Sequence, residues 1–295
     1  MAATFRATGP IPSLDEAYAY CSAVAKEHYE NFTVTSVLLP KRLKPAIQAV
    51  YSFCRYTDDL GDEAEGDRLA LLDEWEAELV SVYGGAPHHP IMVALQDVVS
   101  TFDIPDEPFR RLIQANRMDQ REVRFDTYAD LLHYCEHSAT PVGRMVLHVL
   151  GETSAESFRL SDATCTALQL ANFWQDVKRD RAMDRIYIPR EDMASFGYTD
   201  EELTLGIVTQ AFRNLIRFEV GRAQELFDEG LTLVDRLTGR AKLDVALFSK
   251  GGMRVLDAIR DQDYDVLSHR PTISKPRKLW IALSTSAKLA LRQRP

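Results

Sequence analysis

Long apolar runs are missing from this sequence. None reaches the roughly 18 residues that a bilayer-spanning helix needs, so no membrane span is expected. Residues 1–12 hold no apolar stretch flanked by basic residues, so no secretion signal is expected either. Cysteine is sparse: Cys21, Cys54, Cys135 and Cys165 lie far apart and form no C-x-x-C, which points to reduced, buried thiols in a cytoplasmic protein. Glycine and proline, 14 and 13 of 295 residues, are too few for a low-complexity linker, and no internal repeat is evident. No convincing β-strand pattern appears, and no glycine-rich phosphate loop of the Rossmann or Walker kind. Basic charge is short overall: the net charge of −9 excludes a general nucleic-acid partner.

What is present is apolar residues at helical spacing, 45% of the chain, enough for a sizeable core. The expected architecture is all-α, one domain over residues 1–295 with residues 1–12 as a tail. Ser13 with Glu16 three residues on is a capping box for a first helix to about Tyr29. Further helices are expected over about Pro45–Thr57, Arg68–Tyr83, Pro90–Phe102 and Pro108–Phe125. Asp126 or Thr127 caps the next, which runs through His133–Arg144 with a kink at Pro141. Then come a helix from Ser161 or Asp162 to about Arg181, an extended Arg185–Pro189, and long helices over about Leu203–Leu237 and Lys242–Tyr264. Seven basic residues and no acid stand in residues 266–295. An acidic body with a basic tail points to an anionic partner for the tail, a phosphate-bearing ligand or a lipid surface. The last amphipathic helix, 275–294, either docks on the core or makes peripheral contact with the inner face of a membrane.

Two acidic stretches carry the chemistry. In Tyr51–Glu63, Asp58 and Asp62 share one helix face and Asp59 and Glu63 the next. In Leu168–Asp180, Asn172, Asp176 and Asp180 fall in line, with Gln169 one turn above Asn172. Stacked carboxylates repel unless a cation lies between them, and on facing helices such rows would hold oxygen-loving ions, magnesium first, shared with substrate phosphates. The ordinary alternative is a solvated acidic face. Leu168, Leu170, Ala171, Phe173 and Trp174 argue against it for the second row, because they bury that helix, and a buried acid needs a partner. A third pattern, His133-x-x-Glu136-His137, has the spacing of an inverted zinc-protease motif; its alternative is an exposed helix face.

Tyr51-x-x-x-Arg55-x-x-Asp58-Asp59-x-x-Asp62 and Gln169-x-x-Asn172-x-x-x-Asp176-x-x-x-Asp180, the latter followed by Arg185-Ile186-Tyr187-Ile188-Pro189, resemble the two aspartate-rich signatures of the squalene and phytoene synthase family. The resemblance runs from about Tyr18 to about Lys278 and includes Tyr134-Cys135-x-x-x-Ala139-x-x-Val142-Gly143. It implies an isoprenoid-synthase helical bundle with a central cavity. It implies that Asp58, Asp59, Asp62, Asn172, Asp176 and Asp180 hold Mg2+ on a prenyl diphosphate, with Gln169 on the substrate side. Arg55, Arg185 and Arg277 would stabilise the departing diphosphate, Tyr51 and Tyr187 would hydrogen-bond it, and Phe32 and Tyr134 would face the carbocation. Tyr29-Glu30-Asn31 stands where the family has small hydroxyl residues before the phenylalanine, which argues against a plain phytoene synthase. The pattern is most similar to a bacterial hopanoid-pathway branch that turns presqualene diphosphate and water into hydroxysqualene without NADPH. The neighbouring outcome is condensation of two farnesyl diphosphates. Glu136 or His137 would place the quenching water.

Overall fold

The computed structural model describes residues 10–27, 40–121 and 123–273. Phe32, Arg277 and the 275–294 helix lie outside the described residues, as does the loop before Phe32. The chain divides into two compact units, Met1–Arg121 with His137–Phe158, and Glu122–Glu136 with Arg159–Pro295.

The first unit is helical throughout its described elements: α1 (Leu14–Glu27), α2 (Lys44–Asp62), α3 (Arg68–Gly84), α4 (Pro90–Phe102), α5 (Glu107–Met118) and α7 (Thr140–Leu150). Starts are set as the sequence indicates. The Glu16 carboxylate accepts from the Ser13 backbone N–H at 2.8 Å, Asp67 accepts from Ala70 N–H at 3.1 Å, and His89 Nδ1 accepts from Ile91 N–H at 3.2 Å. Helix α2 is the axis, packed by α1, α3, α4, α5 and α7. Phe53 stacks on Trp75 at 5.7 Å and meets Phe109 edge-on at 5.0 Å. The buried Trp75 indole donates to Thr57 Oγ1 at 2.9 Å, which satisfies the one polar atom that this aromatic cluster buries. Helix α2 continues past Thr57 to Asp62, so Asp58, Asp59 and Asp62 lie on the helix as their spacing indicates.

The second unit holds most of α6 (Tyr128–Ser138) and α8 (Ala155–Arg181), then α9 (Arg190–Ser195), α10 (Asp200–Leu205), α11 (Gln210–Gly230), α12 (Leu233–Arg236) and α13 (Gly239–Asp261). Several expected bounds are corrected. The helix expected to reach Phe125 ends at Met118, and Val123–Arg124 is instead a short strand, β1, paired in parallel with β2 (Arg185–Ile186). Helix α8 starts two turns before Ser161, because Ser154 Oγ accepts from the Ser157 N–H at 3.2 Å and nothing between breaks the helix. The 203–237 stretch is divided: Gly206 turns left-handed at φ 68°, Thr209 recaps α11, and α12 follows separately. The His133–Arg144 helix is likewise interrupted at Ala139, one residue before Thr140-Pro141 starts α7. Glycine permits one close crossing. A Cβ at Gly252 of α13 would lie 2.3 Å from Phe227 Cζ and 2.8 Å from Leu168 Cδ2, so α8, α11 and α13 meet there only without a side chain. All four cysteines are free thiols.

A buried charge cluster lies within this unit. The Arg222 guanidinium lies 2.6 Å from Asp192 and 3.4 Å from the fully buried Glu219, and covers the Tyr128 ring at 4.0 Å. One guanidinium serves two carboxylates. Burial first, and the Asp192 charge second, push the Glu219 carboxyl up to about 8. Its protonated form is favoured by folding, so its stabilising contribution is complete at low pH and is lost as pH rises from the ordinary carboxylate range through about 8. Thermal unfolding from pH 5 to pH 9 should show this. The fall in Tm is expected to be smaller in Glu219→Gln than in the parent by at least about 3 °C, and parallel curves would reject the assignment.

Candidate active site

The first acid row rises from α2. Asp58 and Asp62 share one exposed edge, as the i,i+4 spacing requires. Arg55 pairs with Asp59 and, at 2.8 Å, with Glu63, so the neighbouring row already has a cation. Asp58 does not. It keeps an open edge to solvent but is otherwise surrounded by protein. That desolvation, reinforced by the Asp62 charge, pushes its carboxyl up to about 7, while hydrogen bonding from Asn116 opposes the shift. Asn116 Nδ2 donates to Asp58 Oδ1 at 3.3 Å and to Leu112 O at 3.1 Å. It reaches Asp58 because α2 and α5 touch at Gly61: a Cβ there would stand 2.3 Å from Asn116 Oδ1. Sequence reasoning missed Asn116; the signal was Gly61 inside the acidic motif. Tyr51, two turns before Asp58 on α2, is half-buried, and burial raises its hydroxyl above the ordinary value.

The second row rises from α8. Asn172 is exposed, and Gln169, Asp176 and Asp180 are half-buried, while Leu170, Ala171, Phe173 and Trp174 are buried as the sequence indicates. Burial, then the Asp176 charge, push the Asp180 carboxyl up to about 7, against the pull of Arg185, Arg179 and Arg270. Asp176 itself is held by Arg270, which donates from Nη2 to Oδ2 at 3.0 Å and from Nε to Oδ1. Arg270 was read from sequence only as part of a basic tail.

The short β1–β2 pairing brings the Arg185–Tyr187 stretch beside α8. Register Val123↔Arg185 and Arg124↔Ile186 holds the segment extended, and Arg124 Nη1 donates to Ile188 O at 3.2 Å. Tyr187 then lies flat on Phe173, ring centroids 3.6 Å apart and planes 7° from parallel. Phe125 and Tyr134 complete a buried aromatic group, with Tyr134 6.3 Å from Phe173 and 6.0 Å from Tyr187. Asp180, Arg185, Tyr187 and Phe173 line one small depression. The structure thus brings four expected residues, Tyr134, Asp180, Arg185 and Tyr187, into one neighbourhood, and Phe173 and Phe125 are additions to it.

The zinc reading of His133-x-x-Glu136-His137 finds no support. His133 and Glu136 are exposed and 3.5 Å apart on the outer edge of α6, and no third ligand joins them among the described residues. The exposure of Glu136 also gives it no place among the buried rings around Tyr134. Among the described residues no three acid, histidine or cysteine side chains converge on a point; each acid row runs along its helix one turn at a time. The donor set nonetheless fits a hard divalent cation. It is dominated by carboxylate oxygens, two of them on groups whose charge is under-compensated, and two others, Asp59 and Asp176, already draw a guanidinium.

A family profile, squalene/phytoene synthase, matches residues 25–277. A crystal structure of the squalene synthase HpnC from Alicyclobacillus acidocaldarius is 46% identical, with TM-score 0.83, covering 88% of this chain and 99% of that one. A dehydrosqualene synthase solved with a ligand is 28% identical, with TM-score 0.85, covering 94% and 98%. The 15-cis-phytoene synthase of Synechococcus elongatus is 32% identical over 288 residues, 93% of this chain and 94% of the relative.

Two carboxyls raised to about 7 are partly protonated at pH 6, and a bound cation must expel those protons. Calorimetry of Mn2+ binding in buffers of different ionisation enthalpy should find proton release at pH 6 that fades by pH 8.5. The double variant Asp58→Asn/Asp180→Asn should release none. Equal release at both pH values would contradict the electrostatics described above.

Proposed function

Because the chain belongs to the squalene/phytoene synthase family, we propose that it is the family's hydroxysqualene-forming kind. Presqualene diphosphate plus water would give hydroxysqualene plus diphosphate, an overall carbon–oxygen lyase chemistry without nicotinamide cofactor. What supports the squalene side of the family over the phytoene side is the 46% identity over 88% of the chain to a protein described as a squalene synthase, against 32% to phytoene synthases. The Tyr29-Glu30-Asn31 departure before Phe32 points the same way.

In this reading residues 1–295 act as one catalytic domain. Asp58, Asp59, Asp62, Asn172, Asp176 and Asp180 would hold Mg2+, which when bound draws negative charge onto the departing diphosphate. Arg55 and Arg185 orient and compensate the diphosphate, and Gln169 supports the substrate on the turn above Asn172. The hydroxyls of Tyr51 and Tyr187 donate to the leaving group. Breaking the carbon–oxygen bond leaves the electron pair on diphosphate and a cation on carbon. The faces of Tyr134, Phe173 and Phe32 lend that cation electron density and keep water away until rearrangement is complete. Water then adds at carbon, and its proton is lost to solvent or diphosphate. Cytoplasmic location and peripheral membrane contact through 275–294 belong to the same proposal. Among the described residues no helix is long and apolar enough to cross a membrane.

A second reading, condensation of two farnesyl diphosphates, is favoured by the likeness to a dehydrosqualene synthase. Product analysis with Mg2+ and no NADPH separates the two. An alcohol from presqualene diphosphate, and no product from farnesyl diphosphate alone, is the expected result. Presqualene diphosphate, dehydrosqualene or phytoene made from simple prenyl diphosphates would replace the proposal. Asp176→Asn is expected to lower turnover at least about 100-fold with Tm little changed, since the row acts through charge.

A further inference from the structure

Arg270 holds both oxygens of Asp176. Nη2 donates to Oδ2 at 3.0 Å and Nε donates to Oδ1, the two-point grip that suits a guanidinium to a carboxylate. The same Nη2 lies 3.3 Å from Gln175 Oε1, and the buried Gln175 donates from Nε2 to Pro271 O at 2.6 Å. Four hydrogen bonds therefore fasten Arg270-Pro271 to two successive residues of α8. Arg270 comes from beyond the last described helix, ninety-four positions from Asp176, so the grip is made by tertiary structure alone.

A carboxylate gripped on both oxygens by a guanidinium keeps only its outer lone pairs, so the grip takes the side from which a metal ion would be held by both oxygens. A divalent cation arriving at Asp176 also meets the guanidinium charge at contact distance, and like charges there repel. The two cations are alternatives. We propose that Arg270 is a positioning residue that stands in for the metal: it holds Asp176 in the metal-free enzyme, and metal binding displaces it and frees the 269–273 stretch from α8. This rests on the reading of Asp176 as a metal ligand. By linkage, whatever fastens Arg270 to Asp176 weakens metal binding by the same factor that metal weakens the fastening. Gln175 keeps Pro271 in place in parallel, so displacement loosens the stretch without requiring its complete departure.

The test uses the full chain and Mn2+ alone, with binding counted by electron paramagnetic resonance. Amide exchange of residues 269–273 is measured with and without the ion. Arg270→Gln is expected to bind Mn2+ about three- to tenfold more tightly than the parent, the scale of a partly exposed two-point ion pair. Arg270→Lys, which keeps the charge but loses the two-point grip, should fall between, and supplies the same comparison if Arg270→Gln folds poorly. Mn2+ should speed exchange of 269–273 in the parent, whereas in Arg270→Gln exchange should already be fast and indifferent to the ion. Unchanged or weaker Mn2+ affinity in Arg270→Gln, with Asp176→Asn binding less than the parent, overturns the stand-in role and leaves the metal reading intact. Tighter binding without faster exchange overturns the displacement. An Asp176→Asn variant that binds Mn2+ as well as the parent removes Asp176 from the metal site, and both readings fall.

Discussion

Carboxylates one helical turn apart, in surroundings that give them little water, cost free energy until something positive meets them. On α8 the constraint falls on the half-buried Asp176 and Asp180, and on α2, where Asp58 and Asp62 keep an exposed edge, it comes chiefly from the protein around Asp58 and the crowding of like charges. On α2 a local cation, Arg55, pairs with the Asp59–Glu63 face, while Asp58 takes the amide of Asn116 and a weaker pull from Arg55, and its carboxyl is raised to about 7. On α8 the cation is distant in sequence, Arg270, and Asp180 remains raised to about 7 beside it. An acid row that protonates partly, or borrows a guanidinium, is one prepared to exchange that partner for a stronger one. Ionising a prenyl diphosphate calls for that property, because the charge to be stabilised appears only as the bond breaks.

The apolar half of the chemistry has an equally local cause. A two-residue parallel strand pair is too small to stabilise much by itself. Its effect is positional: it lays Arg185–Tyr187 against α8, so that Tyr187 stacks on Phe173 with a guanidinium two residues before it. Polar grip and aromatic face are thereby offered within one short stretch. A diphosphate ester of a long hydrocarbon presents the same two demands on its two ends. Glycine sets the tolerance of such placements. Gly61 admits Asn116 to the Asp58 edge, and Gly252 lets three helices close in the second unit.

Membership of the squalene/phytoene synthase family accounts for the common chemistry, and the all-α fold is shared with the solved relatives. What distinguishes outcomes within the family is the treatment of the cation after ionisation, which depends on which faces surround it and where water is admitted. In this chain Phe125, Tyr134, Phe173 and Tyr187 form a buried aromatic group, whereas Glu136, the polar residue adjoining Tyr134 in sequence, faces outward.

Periodicity and caps by themselves determined the helical class, most helix starts and the face each acid occupies, because those depend on residues within four positions of one another. The Ser13 and His89 starts are such cases. Local pattern failed where the deciding partner is remote. Val123–Arg124 looks helical until Arg185–Ile186 supplies a strand to pair with, and no neighbour in sequence reveals that. Asn116 and Arg270 are ordinary residues in their own segments, and only the close approach at Gly61 and the return of the chain past α13 bring them to Asp58 and Asp176. Which carboxylates have compensating charge is a sum over all neighbours in space. The sequence therefore named the acids, and the tertiary structure decided how far the charge on each is compensated.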